Sequence, residues 1–169
     1  MRAVRVPCLA VNNPSVVALV GNPRPGSRTA GIAELAAAGI AARLDAVAAT
    51  IDLAAPDLDR EAARALVVGA RVVVVASPTY KAAYTGLLKA FLDELPSAAL
   101  AGVVAVPLMT MGDAKHTLAA DVHLRPVLLE LGAACPTSAI VVVGEAQDAP
   151  AATVDDWLRT AGPVIDALA

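Results

Sequence analysis

Five short apolar segments alternate with longer segments of helical character along this chain, and this alternation limits its possible folds most strongly. The third apolar segment, residues 71–77, holds four successive valines, which is typical of a strand buried on both faces of a sheet. Parallel strands need long crossover connections, which are usually helices. The pattern therefore predicts an α/β fold with a parallel sheet covered by helices on both sides.

The predicted elements form five β/α units. The strands are predicted at residues 16–21, 46–53, 71–77, 102–110 and 137–144. The helices are predicted at residues 29–43, 59–69, 84–95, 113–132 and 153–168, with Thr153 or Asp155 capping the last one. No repeat, linker or change of composition indicates a second domain, so we expect one domain at residues 15–169 behind a flexible extension at residues 1–14. A strand order of 2-1-3-4-5 would place the loops after strands one, three and four side by side.

The composition argues against several classes of function. The formal net charge of the 169 residues is −3 and no run of Lys or Arg stands out, so nucleic acid is not expected as the main partner. No uninterrupted apolar stretch reaches the length of a bilayer, and the first ten residues do not resemble a signal peptide. We therefore expect a cytoplasmic protein without a membrane partner. Cys8 and Cys135 lack zinc-site spacing, and His116 and His123 are too far apart, so no metal site is predicted.

The loop after the first strand has the chemistry of an anion site. The strand ends at Gly21, and a loop rich in Pro, Gly and Asn leads into a helix that opens with Ser27, Arg28 and Thr29. The free amides of a helix N-terminus attract phosphate, and hydroxyl groups and an arginine add donors. Ser27-Arg28 stands where a nucleoside-triphosphate loop needs Lys-Ser/Thr, and the GxGxxG pattern is absent, so a single terminal phosphate, as on a mononucleotide cofactor, fits better. The alternative is an ordinary turn capped by Ser27 or Thr29.

The loop after the third strand carries residues suited to a flat ring. Pro78 stiffens the chain, and Thr79, Tyr80 and Lys81 could present backbone amides and one aromatic face to a planar ligand. Alternatively, each tyrosine packs inside the protein or at a subunit contact. This alternative is stronger for Tyr84 than for Tyr80.

The loop after the fourth strand, Thr110-Met111-Gly112, completes the group. Gly112 permits the close approach of a ligand, whereas Asp113 is expected to cap the following helix. His116 could reach this site, but a position at the protein surface or at an interface accounts for it equally well. The chain has no Ser-His-Asp pattern with an elbow-type motif, and its carboxylates are scattered. A chain with few catalytic side chains but a good cofactor cradle suggests that a cofactor performs the chemistry.

Three motifs in the same order resemble those of one enzyme family. They are GNPRPGSRT, SPTYKAAYTGLLKAFLDELP and PLMTMGDAKHTLAADVHLRPVLLELGA, and the resemblance extends over about residues 16–144. The sequence resembles the NADPH-dependent FMN reductases of the flavodoxin-like superfamily, and among them the reductases paired with alkanesulfonate and methanesulfonate monooxygenases. The resemblance implies a flavodoxin-like three-layer sandwich and FMN in the cleft. It also implies NADPH or NADH as hydride donor, a homodimer or homotetramer, and a monooxygenase that receives the reduced flavin.

The resemblance assigns roles to particular residues. Those expected to hold the FMN phosphate or to shape its loop are Asn22, Pro23, Arg24, Ser27, Arg28 and Thr29. Those expected to border the isoalloxazine ring are Pro78, Thr79, Tyr80, Lys81, Thr110, Met111 and Gly112. Hydride would pass directly from the nicotinamide to the flavin, so no catalytic side chain is expected.

Two departures from the family pattern bear on flavin binding. Met111 stands where the family commonly has a glycine, which would narrow the ring pocket or alter flavin affinity. Val122 stands near a position where some members carry an aromatic residue, which bears on assembly and on flavin retention. Three alternatives remain: an enzyme that keeps FMN bound and reduces quinones, azo dyes or metal ions, an electron carrier like flavodoxin, and an interaction module without cofactor. The sequence does not distinguish NADPH from NADH.

Overall fold

The computed structural model describes residues 15–169, so the predicted extension at residues 1–14, with Cys8, lies outside the described residues. The strands are β1 (Val16–Val20), β2 (Ala48–Asp52), β3 (Val72–Pro78), β4 (Val104–Met111) and β5 (Ile140–Val143). The α-helices are α1 (Arg28–Arg43), α2 (Arg60–Gly69), α3 (Gly86–Leu92), α4 (Arg125–Glu130) and α5 (Ala151–Leu168). Short 3₁₀ helices lie at Ala114–His116 and Gly144–Gln147, and a π-helix lies at Ala120–Leu124.

The five strands form one parallel sheet in the order β2-β1-β3-β4-β5, which confirms the predicted order. Successive residues of β3 face opposite sides of this sheet. Val73 and Val75 belong to the core beneath α2, α3 and α4, whereas Val72 and Val74 belong to the core beneath α1 and α5. All four valines are fully buried. The prediction of a sheet covered by helices on both faces is therefore confirmed.

Gly21, directly after β1, lets α3 come very close to the sheet. A Cβ at Gly21 would lie 2.4 Å from the Cβ of Leu88 in α3. Thr85, the N-cap of α3, donates from Oγ1 to the carbonyl oxygen of Gly21 (2.5 Å), and its amide donates to Oγ of Ser77 (3.0 Å). These bonds tie the carboxyl ends of β1 and β3 to the start of α3. The loops at this edge of the sheet therefore begin from fixed positions.

The prediction of one continuous helix at residues 113–132 is wrong. Asp113 caps only a 3₁₀ turn, and the π-helix Ala120–Leu124 then runs directly into α4 at Arg125. The amide of Arg125 donates to the carbonyl oxygen of Ala120, which is the wider spacing of a π-helix. Pro126, in the first turn of α4, has no amide for an ordinary α-helical bond at this point.

The last helix begins earlier than predicted. α5 starts at Ala151 with Pro150 as its N-cap residue, so the prediction that Thr153 or Asp155 caps it is wrong. Pro150 has a φ of −74°, which already suits entry into a helix, and no side chain caps this end. No helix within residues 15–169 is long and apolar enough to cross a membrane.

Candidate functional site

A cavity of about 470 Å³ opens at the carboxyl ends of β1, β3 and β4, beside the point where the strand order reverses. Its walls include predicted site residues from all three loops, namely Asn22, Arg24, Ser27, Arg28, Thr29, Pro78, Tyr80 and Thr110. The walls also include Pro25 and Gly26, which lie within the predicted loop after β1, and Gln147, which the sequence reasoning missed. The predicted residues outside the lining are Pro23, Thr79, Lys81, Met111 and Gly112. The structure thus brings the three predicted loops together and adds a fourth segment, the 3₁₀ helix after β5.

A second cavity, of about 480 Å³, lies beside the end of β2 and the start of α2. Its walls are mainly apolar and include Asp52, Asp57 and Asp59, and among the described residues no basic side chain lines it. Carboxylates repel an anion, so the cavity at the three loops is the better candidate for a phosphate-bearing ligand. Residues 15–169 also contain no cluster of three or more His, Cys, Asp or Glu that could hold a metal ion.

The loop after β1 is held in shape by side chains at both of its ends. Asn22 Oδ1 accepts a hydrogen bond from the amide of Arg24 (3.0 Å), and Asp52 Oδ2 accepts one from the amide of Gly26 (3.0 Å). Gly26 has a φ of +60°, a conformation that glycine adopts readily and residues with a Cβ adopt rarely. The loop therefore depends both on its own sequence and on a carboxylate from β2.

The first turn of α1 offers two backbone amides to a ligand. Ser27 is the N-cap, and its Oγ accepts a hydrogen bond from the amide of Ala30 (3.2 Å). The amides of Arg28 and Thr29 have no partner inside the helix, because they belong to its first turn. Both residues line the cavity, where the positive end of the helix dipole favours an anion. That Ser27, Arg28 and Thr29 bind a phosphate stays a prediction.

A chain of buried hydrogen bonds lies beneath this loop. Asn22 Nδ2 donates to Thr29 Oγ1 (3.2 Å), which shares a second hydrogen bond with Thr110 Oγ1 (2.9 Å). All three side chains are buried, and they connect the loop after β1, α1 and β4. A satisfied polar network of this kind holds its elements in one arrangement. Thr29 therefore has a structural role whether or not its hydroxyl also meets a ligand.

Arg28 forms an ion pair with Asp148, in the segment that follows β5. The distance from Nη1 to Oδ1 is 2.8 Å, and the two side chains are 62% and 65% exposed. The neighbouring Gln147 lines the cavity and donates from Nε2 to the carbonyl oxygen of Met111 (2.8 Å). Sequence reasoning missed Gln147 and Asp148. They follow β5 at the same edge of the sheet as the three predicted loops, which is the signal that could have found them.

The loop after β3 uses most of its amides within the protein. The amide of Thr79 donates to the carbonyl oxygen of Thr110 (2.8 Å), and Tyr80 and Ala83 exchange two backbone hydrogen bonds (2.8 and 3.1 Å). The expectation that Thr79 and Tyr80 present free amides is therefore wrong, because β4 and the turn already engage them.

The centre of this turn is strained. Lys81 and Ala82 have φ angles of +51° and +66°, which is the pattern of a type I′ turn. Glycine and asparagine usually supply this conformation, since a residue with a Cβ adopts it at a cost of about 1–2 kcal/mol. Backbone strain of this kind occurs often at binding sites.

The two tyrosines have different environments. Tyr80 lines the cavity and is about half exposed, whereas Tyr84 packs against the core beneath α2, α3 and α4.

The Oγ1 atom of Thr79 is buried and has no hydrogen-bond partner among the described residues. Buried polar atoms normally have a partner, but Thr79 does not line the cavity, so this hydroxyl is not assigned to a ligand there.

Met111 turns its side chain away from the cavity. It is buried in the core beneath α2, α3 and α4, while the preceding residue, Thr110, faces the cavity. Because β4 continues through Met111, the alternation of the strand sends the two side chains to opposite faces. The Met111 side chain therefore does not narrow this cavity, whereas its effect on flavin affinity stays a prediction. A Cβ at Gly112 would meet no atom within 4 Å, so space remains open at this end of β4.

Comparison with known proteins adds to this geometry. The family described as NADPH-dependent FMN reductase matches residues 14–148. The chain belongs to this family. It is similar to the FMN reductase (NADPH) of Escherichia coli (strain K12), with 54% identity over 61 residues, which are 36% of this chain and 32% of that protein. It is also similar to the NADH-dependent FMN reductase SfnF of Pseudomonas putida, with 32% identity over a match of 126 positions that covers 66% of this chain and 68% of that protein.

One solved structure resembles this member of the FMN reductase family over most of its length. It is the apo form of an NADH:FMN oxidoreductase (EMOB), with a TM-score of 0.78 and 38% identity, covering 92% of this chain and 88% of that one. The match to the E. coli protein covers a smaller part of the molecule: this chain spans 32% of that protein's length. The same holds for an FMN reductase (NADPH) of P. putida, of which it spans 34%.

Proposed function

We propose that this protein is an NAD(P)H-dependent FMN reductase, which transfers hydride from a reduced pyridine nucleotide to FMN and supplies reduced flavin to a monooxygenase. The observation that carries this proposal is the cavity at the three loops, which combines a helix N-terminus, two arginines and an exposed aromatic ring. Membership of the FMN reductase family and the similarity to an NADH:FMN oxidoreductase support the same activity. A monooxygenase as the recipient is supported by the three sequence motifs, which resemble those of reductases paired with sulfonate monooxygenases, and SfnF is a further relative named as an FMN reductase.

The residues around the cavity fit FMN. Its phosphate would bind at the first turn of α1, where Arg28 and free amides lie together, with Arg24 on the neighbouring loop. Its ring would lie beside the exposed Tyr80, with the Thr110 side chain on the neighbouring strand. When bound, the flavin supplies the ring that accepts hydride.

The chain's own residues bind and orient in this proposal. Asn22 and Asp52 hold the phosphate loop in shape, and Gln147 fastens the segment after β5 to the end of β4. The amides at Lys81 and Gly112 are proposed to meet the polar edges of the ring. No side chain is given a proton-transfer role, because orientation of two reacting rings can supply much of the acceleration.

FMN is proposed as an exchanging substrate rather than a permanently bound group. The guanidinium of Arg28 is largely exposed and already has a protein partner, which weakens its hold on a phosphate. The alternative is a reductase of quinones, azo dyes or metal ions that retains FMN through many turnovers. The related enzymes are named for NADPH in one case and NADH in another, so both donors belong in the test.

Arg28→Ala tests the phosphate assignment. Loss of a charge-assisted hydrogen bond worth about 1.5–3 kcal/mol raises the Kd for FMN about tenfold to a hundredfold. Arg159→Ala is the matched control, because Arg159 is also an exposed arginine and pairs with Asp156 on its own helix, α5. Titration of FMN into each variant, followed by quenching of flavin fluorescence, gives the Kd values. If both variants bind FMN like the wild type, the phosphate assignment is wrong.

We also propose that the protein is a homodimer or homotetramer and that it is cytoplasmic. Leu118, Val122 and Leu129 are exposed apolar side chains in the segment leading to and through α4. Exposed apolar surface of this kind supports self-association. Leu118→Asp is expected to lower the mass measured by light scattering, and a wild-type protein of monomer mass would contradict the proposal. The use of a pyridine nucleotide as reductant supports the cytoplasmic location, which cell fractionation tests.

A further inference from the structure

The ion pair between Arg28 and Asp148 joins two segments that border the proposed flavin site. Arg28 is the first residue of α1 and lies on the cavity wall, whereas Asp148 directly follows the 3₁₀ helix after β5. Their side chains approach to 2.8 Å although 120 residues separate them in sequence. The basic residue best placed for a phosphate therefore has an acidic partner from elsewhere in the chain.

The backbone around Asp148 is fixed in place, so the pair does not depend on two free side chains alone. The amide of Asp148 donates to the carbonyl oxygen of Glu145 (3.0 Å), and Gln147 donates to the carbonyl oxygen of Met111 (2.8 Å). Arg28 is held on the other side by the capped first turn of α1. The carboxylate is thus presented to Arg28 by two anchored segments.

We propose that Asp148 competes with the flavin phosphate for Arg28 and thereby sets how tightly FMN binds. This inference rests on the proposed function, since it names a residue that tunes the same site. A guanidinium binds phosphate best through two parallel N–H bonds, and one of these groups, Nη1, is engaged by Asp148. Binding of FMN exchanges one partner of Arg28 for the other and leaves the Asp148 carboxylate to water.

The competition tunes affinity rather than blocking the site. An exposed ion pair is weak, and here both side chains are well over half exposed. A second effect also weakens FMN binding: the Asp148 carboxylate repels the negative phosphate. Together these effects predict that Asp148→Asn lowers the Kd for FMN about threefold to thirtyfold at low ionic strength. Riboflavin, which has no phosphate, should bind the variant and the wild type equally well.

Titrations of FMN and riboflavin, followed by flavin fluorescence, test this inference in five variants, the single variant Arg28→Ala among them, and in the wild type. Asp148→Asn should bind FMN more tightly, and Asp148→Glu, which keeps the charge, should stay close to the wild type. Asp156→Asn is the matched control, because it removes an exposed carboxylate from an Arg–Asp pair on α5. It should leave the Kd unchanged. In the Arg28→Ala background, Asp148→Asn should lower the Kd for FMN by a smaller factor than in the wild type. Without Arg28 there is no competition to relieve, and only the repulsion between Asp148 and the phosphate is removed.

The outcomes separate this inference from the proposed function. If Arg28→Ala weakens FMN binding but Asp148→Asn does not tighten it, the competition is refuted while the phosphate site stands. If Asp148→Asn tightens riboflavin as much as FMN, the effect does not involve the phosphate and the inference is also refuted. If Arg28→Ala leaves FMN binding unchanged, the phosphate assignment fails, and the competition fails with it.

Discussion

Gly21→Ala is expected to destabilise the protein, because the added methyl group has no room. The new Cβ would lie 2.4 Å from the Cβ of Leu88 and 3.1 Å from its Cα, so the backbone of α3 must move as well as a side chain. Overpacking of this kind costs about 1–3 kcal/mol, and a shift of α3 would also weaken the bond from Thr85 to the Gly21 carbonyl, worth about 1 kcal/mol. We therefore expect the free energy of unfolding to fall by about 2–4 kcal/mol.

Gly31→Ala is the matched control for this substitution. Gly31 is exposed in the interior of α1, and a Cβ there would meet no atom within 4 Å. Alanine is favoured over glycine inside a helix by about 0.5–1 kcal/mol, so this variant should be more stable than the wild type. Urea unfolding followed by circular dichroism measures both variants. If the two midpoints shift in the same direction, the close approach of α3 to β1 does not control stability and the reasoning is refuted.

Two further predictions concern buried and exposed polar groups. Thr29→Val removes the hydroxyl that links Asn22 to Thr110, so the free energy of unfolding should fall by about 1–3 kcal/mol, and an unchanged urea midpoint would contradict the buried chain. Hydrogen bonds from Arg60 and then Arg64 hold the pKa of Glu94 below its ordinary value of 4.5. A carboxyl group with a lowered folded pKa stabilises the protein above its unfolded pKa and loses that effect as the pH falls through the folded pKa. The stability difference between the wild type and Glu94→Gln should therefore shrink between about pH 6 and pH 3, and a constant difference would contradict these ion pairs.

The sheet could be predicted from the sequence because its signal is local and strong. The valine run predicted a strand at residues 71–77, and β3 occupies Val72–Pro78. The helix predicted at residues 113–132 was wrong in its first part, where Asp113 caps only a 3₁₀ turn, and in its hydrogen bonding, since a π-helix precedes α4. The spacing of apolar residues indicates which face is apolar, but it does not distinguish an α-helix from a 3₁₀ turn or a π-helix.

The site could be predicted only in part, because some of its contacts depend on the folded arrangement. The loops after β1, β3 and β4 carry recognisable residues at the ends of strands, and these loops meet at one cavity. The left-handed turn at Lys81 and Ala82 has no glycine or asparagine to signal it. The partnership of Arg28 with Asp148 joins the first and last β/α units, and no local pattern in either segment indicates it.

Anaerobic oxidation of NADPH and of NADH by the purified protein, with FMN titrated in, tests the central claim most directly. The visible spectrum of the protein as isolated is recorded first. We expect a nearly colourless protein that oxidises at least one nucleotide at a rate that saturates with added FMN. A yellow protein that bleaches with nucleotide but turns over only with a quinone, azo dye or metal ion would contradict the exchange of flavin. A protein that oxidises neither nucleotide, with FMN present, would contradict the reductase function itself.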